Sequence, residues 1–337
     1  MIPVSVITGF LGSGKTTILS HLLAQRALSN TAVIVNEFGD VGLDHELLET
    51  SQEDLVTLNT GCLCCRMRGD LGITLSDLMA RRLTGTIPKF KRVVIETSGL
   101  ADPVPILQGL MLDQSIIESF ALSRVVTVID AVSGLSTLLT EPEARRQVAV
   151  ADQLVLTKRD LSPAEPAGLF DQLLRLNALA PLVEADHGVV DADVVFSDRT
   201  NDTRALGILA RSNDWSCHIV EEVHDGIATF SLVREAPLSA IALSLFLQAL
   251  AAHCGPDLLR LKGLVQVAEH PTQPAVIHGV QHVFHPPKWL ECWPSGDWRT
   301  RMVFIGRGLN EEWVRALLSA IENEVAEFGN DCDNARI

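Results

Sequence analysis

The 337-residue chain is 47% hydrophobic, enough for a large core and for two domains. Its 42 acidic residues against 27 basic ones leave a formal charge of −15, which repels nucleic acid, and no basic tract overrides that repulsion. No apolar run approaches the length of a membrane span, Met1 leads directly into the first expected strand, and seven cysteines make no disulfide framework, so a cytoplasmic, reducing location is expected.

Short β-branched runs recur at Val4–Thr8, Ala32–Asn36, Arg92–Thr97, Val125–Asp130 and Leu154–Thr157. They alternate with helix-like stretches at Thr16–Leu28, Leu71–Leu83 and Glu143–Ala151. Apolar runs separated by helices predict a mostly parallel sheet covered on both faces, with functional residues where the strands end. Around Asp186–Asn213 the pattern loosens into charged and polar residues, which predicts a first domain over 1–190 and a linker over 191–213. The remainder, 214–330, differs in character. Strands are expected at Cys217–Val223, Leu258–Glu269, Ala275–Phe284 and Arg301–Ile305, with a turn at Pro271 and Pro274 and helices at Pro237–His253 and Asn310–Phe328. Successive strands without crossover helices predict a smaller α+β domain with an antiparallel sheet. Asn310 is the expected N-cap of the last helix, with Glu311 and Glu312 in its first turn.

Residues 9–17 read G-F-L-G-S-G-K-T-T between an apolar strand and a helix. Gly9, Gly12 and Gly14 let the backbone turn tightly, aiming successive N–H groups at an anion on a helix N-terminus. The expected phosphate site is therefore Gly9, Gly12, Ser13, Gly14, Lys15, Thr16 and Thr17, with Lys15 on the outer phosphates and the Thr16 hydroxyl on magnesium. Glu96 ends the Arg92–Thr97 strand, where it can hold magnesium directly or through water. Gly99 permits close approach of the backbone to the terminal phosphate. Asp40 and Asp44 lie in F-G-D-V-G-L-D, and either could position an attacking water or complete the magnesium shell.

The strand Leu154–Thr157 runs into Thr157-Lys158-Arg159-Asp160. A carboxylate at Asp160 can accept from guanine N1 and N2, which adenine cannot supply, while the stem of Lys158 lies across the base with its ammonium wet. Asp130, at the end of the Val125–Asp130 strand, is a weaker candidate than Glu96 for the magnesium side and is read as structural.

Cys62, Cys64 and Cys65 place three thiols within four residues. Thiolates select zinc, cuprous copper or iron–sulfur clusters, and three ligands on a short turn leave a shell open to a fourth. Glu37 is the expected oxygen ligand, with His45 a weaker choice. A redox pair of Cys64 and Cys65 would be strained. His278, His282 and His285 approach ligand spacing. On one continuous strand, however, His278 and His282 would lie about 13 Å apart, so they are read first as surface or docking histidines.

Taken together, Gly9–Thr17, Asn36-Glu37-Phe38-Gly39, Gly61–Cys65, Glu96–Pro103 and Thr157–Asp160 resemble the CobW-like P-loop GTPases, which are similar to the UreG and HypB maturation GTPases. Leu261-Lys262-Gly263, His278–His282 and Phe304–Arg307 look like motifs of that family's C-terminal domain. The resemblance implies a P-loop fold with a CobW-type C-terminal α+β domain. It also implies slow hydrolysis of Mg-GTP to GDP, and holding and transfer of zinc, with cobalt, nickel or iron as other cargoes. Lys15, Thr16 and Glu96 then carry the phosphate and magnesium contacts, Asp160 reads guanine, and Cys62, Cys64 and Cys65 with Glu37 hold the transition metal. Thr157 stands where the guanine motif often has Asn, which weakens the preference for GTP over ATP. The implied partners are a client metalloprotein or metallocofactor assembly enzyme and a second copy of the chain. The alternatives are a dedicated activator in cobalamin biosynthesis or nitrile hydratase assembly, and a metal-responsive scaffold with little turnover.

Overall fold

The computed structural model describes residues 1–35, 55–57, 63–66, 71–161, 168–196, 226–294 and 296–334. Glu37, Asp40, Asp44, His45 and Cys62, the expected strand Cys217–Val223 and residues 197–213 of the expected linker lie outside them. Two compact units divide the chain, Met1–Arg199 and Thr200–Ile337. Among the described residues no helix is long and apolar enough to cross a membrane.

The first unit runs β1 (Ile2–Thr8), α1 (Lys15–Leu23), β2 (Thr31–Val35), β3 (Leu55–Thr57), β4 (Leu63–Arg66), α2 (Leu71–Thr84), β5 (Arg92–Glu96), α3 (Val104–Leu112), α4 (Gln114–Ile117) and β6 (Phe120–Asp130). It continues with α5 (Gly134–Thr140), α6 (Pro142–Ala149), β7 (Gln153–Thr157), α7 (Leu169–Leu176), β8 (Leu182–Glu184) and α8 (Ala192–Phe196). Its eight strands form one sheet in the order β3-β4-β2-β5-β1-β6-β7-β8. Pairing is parallel throughout except for β3 against β4. One face packs Ile7, Val33, Val94, Val126 and Val155 against Ile18, Leu19 and Leu22 of α1. The alternate residues Val6, Ile34, Ile95 and Leu156 are equally buried, which is why these strands read as unbroken apolar runs. Each such side chain contributes about 1.5–3 kcal/mol of burial.

Two boundaries differ from expectation for a visible reason. The expected helix Thr16–Leu28 stops at Leu23 and resumes as a short 3₁₀ turn, Arg26–Leu28. Between them Gln25 is extended, and its side chain donates to Val190 O (2.7 Å) and accepts from Ala192 N (2.9 Å). Part of the expected linker is thereby fastened to α1. Residues 192–196 form α8, and its Ala192, Val195 and Phe196 join the core.

The second unit comprises β9 (Ile227–Arg234), α9 (Ala240–Cys254), β10 (Leu258–Val267), β11 (His270–Val280), β12 (Val283–Phe284), β13 (Lys288–Trp289), β14 (Thr300–Arg307) and α10 (Glu311–Asn334). Its strands pair antiparallel in the order β12-β11-β10-β14-β9, with β13 on β11. Helices α9 and α10 contribute Phe246, Leu250, Val314 and Leu318 to a core with Leu261, Ile277 and Phe304. Phe304 stacks on Phe230 at 4.9 Å and meets Phe246 edge-on. Asn310 caps α10, its Oδ1 accepting from Trp313 N at 3.0 Å.

The β10–β11 turn is Ala268–Glu269, and Pro271 and Pro274 lie inside β11. The ladder to β10 is irregular there, and that irregularity leaves room for residues without an N–H. Residues 278–284 form a hairpin, with Gly279 opposite Phe284 and Val280 opposite Val283. The single-strand spacing of His278 and His282 therefore does not apply. Instead His285 N donates to His278 O at 3.0 Å across the hairpin. All five tryptophans of the chain fall in the second unit, and the Trp293 and Trp298 indoles lie within 7° of parallel at 6.4 Å.

Candidate functional site: a phosphate loop at the strand ends

The loop between β1 and α1 is closed by Ser13 N donating to Phe10 O at 3.1 Å, and α1 begins behind Gly14 in the left-handed region (φ 92°). Gly9, at φ 146°, lies so close to β6 that a Cβ there would stand 2.3 Å from Val128 O. No other residue fits at that position. Lys15 is buried, and its ammonium donates back to Gly9 O (2.8 Å) and Phe10 O (3.2 Å), folding the loop around it.

Glu96 ends β5 beside β1, in register with Ile7. That register brings its carboxylate to the first turn of α1, where Thr16 Oγ1 donates to Oε1 at 2.7 Å. Two hard oxygen donors, a hydroxyl and a carboxylate, thus meet beside the phosphate loop. The set suits magnesium, which prefers oxygen ligands and bridges phosphates without a complete protein cage. Beyond Glu96 the chain is fastened to β1 by Thr97 N to Ile7 O (3.0 Å) and by the buried Thr97–Thr8 hydroxyl pair (2.9 Å). Gly99 then passes directly over Leu11, since a Cβ on it would lie 2.8 Å from Leu11 N.

The end of β7 meets the loop from the other side. Thr157 shares its one hydroxyl proton between Ser13 O (2.7 Å) and Ile129 O (3.1 Å), tying the base-side strand to the phosphate loop. Lys158, at φ 57°, extends its ammonium to Gly12 O and to Asp130 Oδ2, both at 2.7 Å. The Lys158 side chain remains 35% exposed while it makes these contacts. Asp130, in turn, has a definite task. Burial opposes its ionisation, but the Lys158 ammonium and the N–H groups of Val132 and Ser133 outweigh burial and hold its carboxyl below the usual carboxylate range.

Asp160 lies in the turn after Lys158, its Oδ2 3.4 Å from His187 Nδ1. His187 follows β8, in a loop held to α1 by His21 Nδ1 against Gly188 O at 2.8 Å. His187, Gln147 and the bridging role of Asp130 were missed in the motif reading. A turn after a strand end was the available signal for His187. For Gln147 it was a polar residue on the buried face of a helix.

Of the clustered cysteines, Cys64 and Cys65 lie on β4, in register with Val33 and Ile34 of β2. Their backbone thus runs beside the strand that leads toward residue 37. Cys62, Glu37 and Asp44 fall outside the described residues, and among the described residues no group of three potential metal ligands converges.

Comparison with known proteins agrees over both units. The nucleotide-binding domain described as CobW/HypB/UreG matches residues 3–184, and the cobalamin synthesis protein cobW C-terminal domain matches residues 227–322. The zinc chaperone YjiA of Escherichia coli K12 is 32% identical over 324 residues, spanning 95% of this chain and 98% of that protein. Zinc-regulated GTPase metalloprotein activator 1 of Schizosaccharomyces pombe is 34% identical over 63% of this chain and 54% of its own length. The crystal structure of the Zn(II)-bound YjiA GTPase from E. coli superposes with a TM-score of 0.76 at 30% identity, covering 95% of this chain and 98% of the other. With a P-loop domain on a largely parallel sheet followed by an antiparallel C-terminal domain, the chain belongs to the CobW/HypB/UreG family of nucleotide-binding proteins.

Proposed function

We propose that this protein is a metal-regulated GTPase that holds and transfers a transition metal, zinc first, under control of its nucleotide state. The observation that carries the reading is the 2.7 Å contact between the Thr16 hydroxyl and the Glu96 carboxylate beside the buried Lys15. It is supported by relatives named as a zinc chaperone and a zinc-regulated GTPase.

In this reading Gly9, Gly12, Ser13, Gly14 and Thr17 cradle the phosphates, and Lys15 exchanges its loop carbonyls for the outer phosphate oxygens. Thr16 and Glu96 would hold magnesium, which would supply positive charge against the phosphates. Asp44 is the proposed residue for orienting water, and Gly99 for close backbone approach to the terminal phosphate. Water attacks the γ-phosphorus, the bond to the bridging oxygen breaks, and the water's proton leaves with the phosphate, giving GDP. The loop N–H groups and Lys15 stabilise charge spreading over the transferred oxygens. Thr157 and Lys158 fix the base-side turn and Asp160 selects guanine. Turnover is proposed to be slow, because a transfer factor needs both nucleotide states to persist.

Cys62, Cys64 and Cys65, with Glu37, are the proposed cargo ligands, taking zinc or alternatively cobalt, nickel or iron. A client metalloprotein or assembly enzyme receives the ion, and a homodimer and a cytoplasmic location complete the proposal. The domain limits proposed from the sequence, 1–190 and 214–330 around a linker, are kept with α8 moved into the first domain.

The test uses the full chain, reduced and metal-controlled. Phosphate release from GTP is measured against bound zinc, and zinc affinity is titrated with a competing chelator in the GDP and GTP-analogue forms. Linkage requires zinc to shift the relative nucleotide affinities by the same factor. Equal zinc affinities in the two forms would refute the transfer cycle, and absence of phosphate release would refute the hydrolase.

A further inference from the structure

Gln147 is completely buried on α6, and neither the phosphate loop nor the base motif accounts for a glutamine there. Its amide nitrogen donates to two carbonyls of one turn, Gly99 O at 3.1 Å and Ala101 O at 3.0 Å. Its own main-chain carbonyl accepts from the Thr127 hydroxyl at 2.6 Å, so α6 is fastened to β6 at the same residue. The turn it grips is the one that follows Glu96 and presses Gly99 onto Leu11 of the phosphate loop.

A cavity of about 20 Å³ lies between the loop and α6, with Ser13, Asp130 and Gln147 in its wall. Two buried polar atoms of residues in that wall, Ser13 Oγ and Gln147 Oε1, have no hydrogen-bond partner among the described residues.

We infer that Gln147 is a positioning residue for GTP hydrolysis, its amide nitrogen holding the Ser98–Ala101 turn against the phosphate loop while its main-chain carbonyl anchors α6 to Thr127 of β6. The inference rests on the GTPase reading above. Gln147 touches neither nucleotide nor magnesium in it, and acts through the turn. An uncharged amide supplies two donors from one nitrogen, which is what the two carbonyls of this turn require. Methionine has a similar shape and supplies no donor, leaving both carbonyls unpaired. Glutamate supplies a donor only when protonated, and burial beside two carbonyls favours that protonated form.

The experiment uses the full chain with the substitutions Gln147→Met and Gln147→Glu. Steady-state GTP turnover is measured with magnesium, together with affinities for GDP and a non-hydrolysable GTP analogue. A misplaced turn is expected to lower kcat by about 10²-fold in Gln147→Met while GDP affinity is retained. In Gln147→Glu, kcat should rise as pH falls and the carboxyl gains its proton. The charged pairs near this turn, Asp102 with Arg146 and Asp130 with Lys158, are common to both proteins, so the wild-type pH profile accounts for them.

A folded Gln147→Met protein with wild-type kcat would overturn the inference. So would a Gln147→Glu profile parallel to wild type, which decides the matter even if the methionine variant does not fold. A wild-type chain without turnover would overturn the GTPase reading instead. The ratio of analogue to GDP affinity would then still test Gln147, with a fall of about tenfold expected in Gln147→Met and an unchanged ratio refuting its role.

Discussion

Replacing Lys158 by methionine keeps most of the side-chain stem and removes the ammonium that joins Gly12 O to Asp130 Oδ2, each at 2.7 Å. A hydrogen bond to a charged group contributes about 1.5–3 kcal/mol net. The lysine side chain is 35% exposed and that of Asp130 10%, so solvent screening reduces the pair toward the bottom of that range. Taking about 2 kcal/mol for both contacts together gives roughly a 30-fold change in an equilibrium constant. The ammonium braces the loop and the base-side turn and lies away from the reacting end. Affinity for GDP and GTP should therefore weaken together, with kcat at saturating GTP nearly unchanged. Displacement of a fluorescent guanine nucleotide measures the first, and phosphate release the second. A collapse of kcat with GDP affinity intact would refute the bracing argument. Asp130 provides an independent readout. Its lowered carboxyl pKa means that its contribution to stability is complete above the ordinary carboxylate range and is lost as pH falls through the lowered value. Without Lys158, burial is opposed less, so acid unfolding of the full chain followed by circular dichroism should begin at higher pH.

Asp160→Ala should cost GTP more affinity than ATP, by about 1–3 kcal/mol if the carboxylate pairs with guanine. Competition among GTP, ATP and xanthosine triphosphate checks this, and an unchanged order removes Asp160 from base recognition. In the second unit, the Arg299 side chain holds the Asp297 carboxyl well below the usual range against the opposing effect of burial, with help from Arg301. That stabilisation is complete above the ordinary carboxylate range and disappears as pH falls through the lowered value. Asp297→Asn should therefore flatten the acid limb of stability between those limits, and an unaltered limb in urea titrations at several pH values would contradict it.

The phosphate loop was legible because its chemistry is local. Gly9 through Thr17 must be contiguous to wrap an anion at a helix end, so the string alone identifies the strand–loop–helix unit. The parallel core strands were legible because both of their faces are buried, as Val93–Ile95 and Leu154–Leu156 illustrate. What the sequence did not disclose depends on contacts distant along the chain. Gln25 breaks α1 because its amide is used by Val190 and Ala192, more than 160 residues away. Lys158 bonds to Gly12, a partner 146 positions earlier. Strand β8, only three residues long, carries too little pattern to be recognised by itself. In the second unit Pro271 and Pro274 suggested a turn, whereas the irregular ladder accommodates them within a strand.

The placement of every indole beyond residue 199, in a chain with no tyrosine, divides the protein optically as well as structurally. Tryptophan emission therefore originates in the C-terminal unit. Nucleotide added to the first unit encounters no indole there, so an emission change on exchanging GDP for a GTP analogue must come from the second unit. The native chain thus carries its own label for communication between the unit that binds nucleotide and the unit that follows it.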